Sequence, residues 1–120
     1  PFFPEWKVMH VPGHIAHDLA FYHEKEQVLY IADLICDVKG QPHLPLPIVF
    51  PKKMAESFDR LGSLPVRVIL RGHGQPIISE NNAEIFSRMK QQLNRPPTPF
   101  VKRIWRLSIH SPEIKKLNYR

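Results

Sequence analysis

Residues 41–51 carry four prolines, Pro42, Pro45, Pro47 and Pro51, and this segment constrains the fold more than any other. Proline fixes φ and removes a backbone donor, so the segment suits neither a regular helix nor a central strand. It reads as a surface loop between two differently patterned parts. Before it, residues 6–11 form a short mixed apolar run that breaks at Pro12-Gly13, which predicts a strand running into a loop. Residues 19–23 and 27–32 are two β-prone runs separated by Glu24-Lys25-Glu26, the pattern of an antiparallel hairpin.

After the proline segment, helical spacing takes over. From Lys52, Met54, Phe58 and Leu61 recur at steps of four and three, and Gly62 is placed to end the helix. Residues 66–70 are a compact apolar strand that stops at Arg71-Gly72-His73-Gly74. A second helix is predicted over residues 79–93. Ser79 is its candidate cap, Glu80 and Glu84 lie near its positive end, and Phe86, Met89 and Leu93 form its apolar face. Arg95-Pro96-Pro97 breaks it, and Thr98-Pro99 and Ser111-Pro112-Glu113 look like start signals for further short helices. Strand, hairpin, helix, strand and helix in that order predict an α/β arrangement in which sheet and helices cover one another.

Charge divides the chain at the same place. Residues 1–94 hold ten Lys/Arg and ten Asp/Glu, whereas residues 95–120 hold seven basic residues against Glu113 alone, so the net charge of +6 sits in the tail. The expected organisation is a body of residues 1–94 and a basic helical extension of residues 95–120. Such a tail suits nucleic acid or an acidic partner, and a solvated helical face accounts for the same residues. At 42% hydrophobic and 23% charged, the composition is that of a soluble globular protein. No apolar run approaches the roughly 18 residues of a membrane span. A single cysteine, Cys36, excludes an internal disulfide framework and fits a reducing cytoplasm, the expected location. Its neighbours Leu34 and Ile35 favour a buried structural thiol. A chain that starts at Pro1 without methionine reads as a fragment or processed product.

Seven histidines are present, and their positions say more than their number. His14 follows Pro12-Gly13 after a strand, Asp33 ends an apolar run, and His73 lies between two glycines after another strand. Side chains at strand-to-loop junctions converge at one edge of a sheet. Imidazoles with a carboxylate suit zinc, and also iron or manganese. Taken singly, each has an ordinary reading: a loop histidine beside glycine, or an aspartate capping a turn. His17 is either an additional contact or a solvent-facing loop residue, His10 suits packing behind the site, and His23, His43 and His110 receive no role.

Three segments together resemble the metallo-β-lactamase-fold metallohydrolases. His10-Val11-Pro12-Gly13-His14 is similar to their "H-T-P-G-H-T" segment, Tyr30-Ile31-Ala32-Asp33 to their "hydrophobic strand, Gly-Asp" segment, and residues 71–77 to their "P-G-H-G-x-P-I" loop. The agreement in order and spacing runs from Trp6 to about Leu93. The resemblance implies half of an αββα sandwich: a mixed sheet with outer helices, followed by a helical tail. It implies that His14 ligates a first metal, that Asp33 bridges two metals, and that His73 ligates the second. The expected activity is metal-dependent hydrolysis of a small ester, thioester or lactone-like substrate, by a solvent molecule that the cations deprotonate.

The departures are equally specific. Nothing here resembles the family's first motif, H-x-H-x-D-H, which supplies most remaining ligands. The usual threonine after the first ligand is Ile15, the usual glycine three residues after it is His17, and the usual glycine before the aspartate is Ala32. The chain is therefore expected to be inactive alone. Its inner sheet face should be exposed, awaiting a missing N-terminal half or a second copy, with Phe2, Phe3 and Trp6 as adhesive residues. The alternative is a non-catalytic remnant that keeps the fold for binding.

Overall fold

The computed structural model describes residues 5–94. The expected helical extension of residues 95–120, and Phe2 and Phe3, lie outside the described residues. A five-stranded sheet runs in the order β1 (Trp6–His10), β2 (Leu19–His23), β3 (Val28–Tyr30), β6 (Val68–Leu70) and β7 (Ile77–Ile78). The β3–β6 pairing is parallel and the others are antiparallel, so the sheet is mixed. A two-stranded ribbon, β4 (Cys36–Val38) and β5 (Gln41–His43), lies apart from it.

Strand alternation sorts the sheet into two unlike faces. Ala20, Tyr22, Leu29 and Ile69 point one way and are buried. They share one core cluster with Met54, Phe58 and Leu61 of α1 (Pro51–Gly62) and with Ile85, Phe86 and Met89 of α2 (Asn82–Leu93). The rings of Phe58 and Phe86 meet at 5.8 Å between the two helices. The register places Val8, Phe21, Tyr30, Leu70, Val68 and Ile78 on the opposite face. Val8 and Ile78 are 61% and 84% exposed there, so this apolar face has no covering layer among the described residues. One sheet with helices on one side is half of a sandwich, as the sequence led us to expect.

The proline segment departs from expectation. Gln41–His43 is strand β5, joined to β4 through Lys39 and Gly40 at φ 53° and 79°, the two-residue hairpin geometry with both φ positive. Pro42 is tolerated because a two-stranded ribbon has a free edge on each strand. The rest of the segment is only partly superficial, with Leu46 exposed. Leu44, Pro45 and Ile48 are buried, since apolar side chains in the loop serve the core as well as those on a strand do.

One helix boundary holds and one shifts. Gly62 ends α1 as expected, with Ser63 as the cap. A Cβ at Gly62 would lie 3.3 Å from the Cβ of Phe86, so glycine there permits close helix packing. α2 begins at Asn82, with Asn81 as its cap accepting from the Glu84 amide. Ser79 is held back by the sheet, where its amide donates to the Arg67 carbonyl at 3.1 Å.

Candidate metal centre

Three loops leave the same end of the sheet. The loop of residues 11–18 is closed at its neck by the Val11 amide on the Asp18 carbonyl at 2.8 Å. His10 Nε2 donates to the Ala16 carbonyl at 2.7 Å and narrows it further, a bracing role for His10. The loop rests on the start of α1. The Val49 and Phe50 amides both donate to the Gly13 carbonyl, and the Ser57 hydroxyl donates to the Pro12 carbonyl at 2.9 Å. A Cβ at Gly13 would sit 2.4 Å from the Cβ of Met54, so only glycine fits here.

His14 projects from this loop with Nδ1 donating to the Pro47 carbonyl at 2.6 Å. A carbonyl only accepts, so the proton of a neutral ring is on Nδ1 and the lone pair is on Nε2. This is the arrangement in which a backbone carbonyl orients a metal-ligating histidine. Asp18, which sequence reasoning missed, organises the same loop through Oδ2, which accepts from the Ile15 amide at 2.8 Å. Burial raises its carboxyl above the usual value. The Ile15 amide and the His14 imidazole oppose that rise, and the Asp33 carboxylate adds to it. Asp18 is the one buried carboxylate among the described residues.

The other two loops are joined to each other. The parallel β3–β6 ladder continues as the Ile31 amide on the Leu70 carbonyl and then the Gly72 amide on the Ala32 carbonyl, at 3.0 and 2.8 Å. Ala32 adopts φ 49°, the left-handed region in which glycine is unstrained, which gives a physical reason for the family's glycine at this position. Just beyond this link, His73 Nδ1 donates to Asp33 Oδ1 at 3.1 Å. A Cβ on Gly72 would stand 2.9 Å from that same oxygen. The side chains of His73 and Asp33 are 89% and 48% exposed, so the pair is open to ligands.

The structure therefore pairs Asp33 with His73 and holds His14 separately on the Pro47 carbonyl. No group of three or more His, Cys, Asp or Glu among the described residues is arranged to hold a metal ion. The donor chemistry nevertheless fits one: a carboxylate, a histidine with its Nε2 free, and a second histidine whose bond to the carboxylate a cation would replace. His17 is exposed. His23 lies at the far end of β2, where Nδ1 accepts from the Glu26 amide and the ring meets Trp6 edge-on at 5.0 Å. Cys36 is half-buried in β4, and burial pushes its thiol up, with the Asp33 carboxylate adding to the rise and Arg71 opposing it.

No family model matches the chain. It is 32% identical over 97 residues to the probable metallo-hydrolase YqjP of Bacillus subtilis, a match covering 75% of this chain and 30% of that protein. Among solved structures it is similar to the metallo-beta-lactamase family protein TTHA1429 of Thermus thermophilus, at 30% identity and a TM-score of 0.59, over 74% of this chain and 30% of that one. It is also similar to TTHA1623 in a di-iron-bound form, at 29% identity and a TM-score of 0.53, over 71% of this chain and 41% of that one. The chain thus spans about a third of the length of these relatives. With the mixed sheet and the helices on one side of it, the chain has the metallo-β-lactamase fold and is similar in sequence to metallohydrolases of that superfamily.

Proposed function

We propose that this chain supplies part of the metal centre of a metal-dependent hydrolase, with His14, Asp33 and His73 as ligands. The observation that carries this reading is the exposed Asp33–His73 pair, formed where two sheet-joined loops meet. His14, its Nδ1 already on a backbone carbonyl, is the third donor. When bound, zinc, or iron or manganese, would lower the pKa of a bound water and polarise the substrate oxygen. The di-iron form of one similar protein makes iron a serious alternative to zinc. Small esters, thioesters and lactone-like substrates, in the cytoplasm, are the proposed setting.

Three ligands do not complete a two-metal site, and the sequence has no H-x-H-x-D-H segment. We infer that the remaining ligands come with a second sheet seated on the open apolar face. This chain alone is then inactive. A second copy would cover the face but would not bring the missing motif.

Metal content decides the reading. The chain is loaded with zinc, desalted and measured beside the His14→Ala, Asp33→Ala, His73→Ala triple variant. Retained zinc in the parent chain and its loss in the variant are expected. Equal zinc in both rejects these residues as ligands.

A further inference from the structure

We propose that Arg71 is a positioning residue, a buried clip that holds the loop bearing His73 against the segment bearing Asp33. Its side chain is only 5% exposed. Nε and Nη2 donate to the Gln75 carbonyl at 3.0 and 2.5 Å, closing residues 71–75 into a ring around His73. Nη2 also lies 3.7 Å from Asp37 Oδ2, on strand β4, which starts three residues after Asp33. The guanidinium therefore contacts both segments from behind while the Asp33–His73 pair faces solvent.

The loop is shaped around this contact. Gly74 has φ 99°, and a Cβ there would meet the Cβ of Asp37 at 2.8 Å and Cζ of Arg71 at 3.2 Å. The two segments thus pass close to each other at Gly74, with the guanidinium beside it. Stability is a poor explanation for this arrangement. The Arg71 Nη1 atom is buried and has no hydrogen-bond partner among the described residues. A buried charge that is only partly paired contributes little to stability. What an arginine adds is a planar fork that fixes direction.

That contrast supplies the test. Arg71→Met fills the same space without the fork. Its thermal midpoint should stay close to that of the parent, because Asp37 keeps the Gly40 amide on Oδ1 and part of its exposure to solvent. The Gly72 amide, which links the two loops through the Ala32 carbonyl, should exchange with solvent about tenfold faster or more, as local opening becomes easier. Amides within α2 should keep their parent rates, because a general loss of stability would move all of them together. If the methionine variant does not fold, Arg71→Lys reads the same amide with one donor retained and an intermediate rate expected. Unchanged Gly72 exchange in whichever variant folds overturns the proposal.

A second arm rests on the ligand assignment above. Zinc affinity of the folded variant should fall about tenfold or more, as for other groups that orient a ligand without touching the metal. A parent chain that binds no zinc refutes the ligand assignment and leaves the exchange measurement to judge the clip. A parent that binds zinc, with a methionine variant that binds it equally, refutes the effect of the clip on the site.

Discussion

The amide of Gly72 donates to the carbonyl of Ala32 at 2.8 Å, and this bond joins the two loops from which Asp33 and His73 project. The carbonyl is presented by an alanine at φ 49°. A side chain in that conformation costs about 1 kcal/mol relative to glycine.

The first prediction follows from that strain. Ala32→Gly should raise the unfolding free energy by about 1 kcal/mol and leave the Gly72 link intact, because only a methyl group is removed. Urea unfolding of the two chains checks it. A lower midpoint for the glycine variant would mean that Ala32 is not held in the left-handed region.

Gly13 should behave in the opposite sense. A Cβ there overlaps both Cα and Cβ of Met54, at 2.7 and 2.4 Å, so backbone has to move. Overpacking of this kind costs about 1–3 kcal/mol. Gly13→Ala should therefore lower the midpoint, and Met54→Ala should not rescue it, because Cα and Cβ both remain at position 54. Rescue would show that side-chain repacking suffices.

The Asp18 carboxyl predicts a pH dependence whose sign is fixed. Burial holds its folded pKa above the ordinary value of 3.8, so between those two values the folded chain binds more protons than the unfolded one. Stability then falls as pH rises through that window, and the loss is complete above the folded pKa. Asp18→Asn keeps an acceptor for the Ile15 amide and removes the charge. Its advantage over the parent should be largest near neutrality and should shrink toward pH about 4. Chemical unfolding across that range measures it; an advantage that grows on acidification would reverse the sign and reject burial as the dominant cause.

What could be read from the sequence follows from how far each feature depends on its own neighbours. The hairpin of β2 and β3, strand β6 and the body of α1 each carry their signal locally, in β-prone runs or in the four-and-three spacing of Met54, Phe58 and Leu61. Strands of two or three residues carry no periodicity. β7 was invisible for that reason, and β5 was hidden behind Pro42, whose presence argues for a loop unless the strand lies at an edge. Asp33 and His73 were legible as candidates because both follow strands, and the parallel pairing of β3 with β6 that brings the two strand ends together is a tertiary fact. His14 was legible as a candidate, but its bond to Pro47 depends on the path of a loop 33 residues away. Asp18 and Arg71 were not legible. Their importance comes from burial, and burial of a charged loop residue is decided by tertiary packing.

The open sheet face gives the last prediction. Val8 and Ile78 protrude from the same face as Phe21, Val68 and Leu70, and exposed apolar surface of this extent drives association in water. The chain alone should therefore self-associate as its concentration rises. Replacing Val8 and Ile78 with threonine should weaken that association while keeping β propensity and leaving the helix-side core untouched. Sedimentation velocity over a concentration series, with circular dichroism as the control for folding, makes the measurement. A chain that stays monomeric throughout would show that this face needs no cover in solution, and the inferred second sheet would lose its main physical argument.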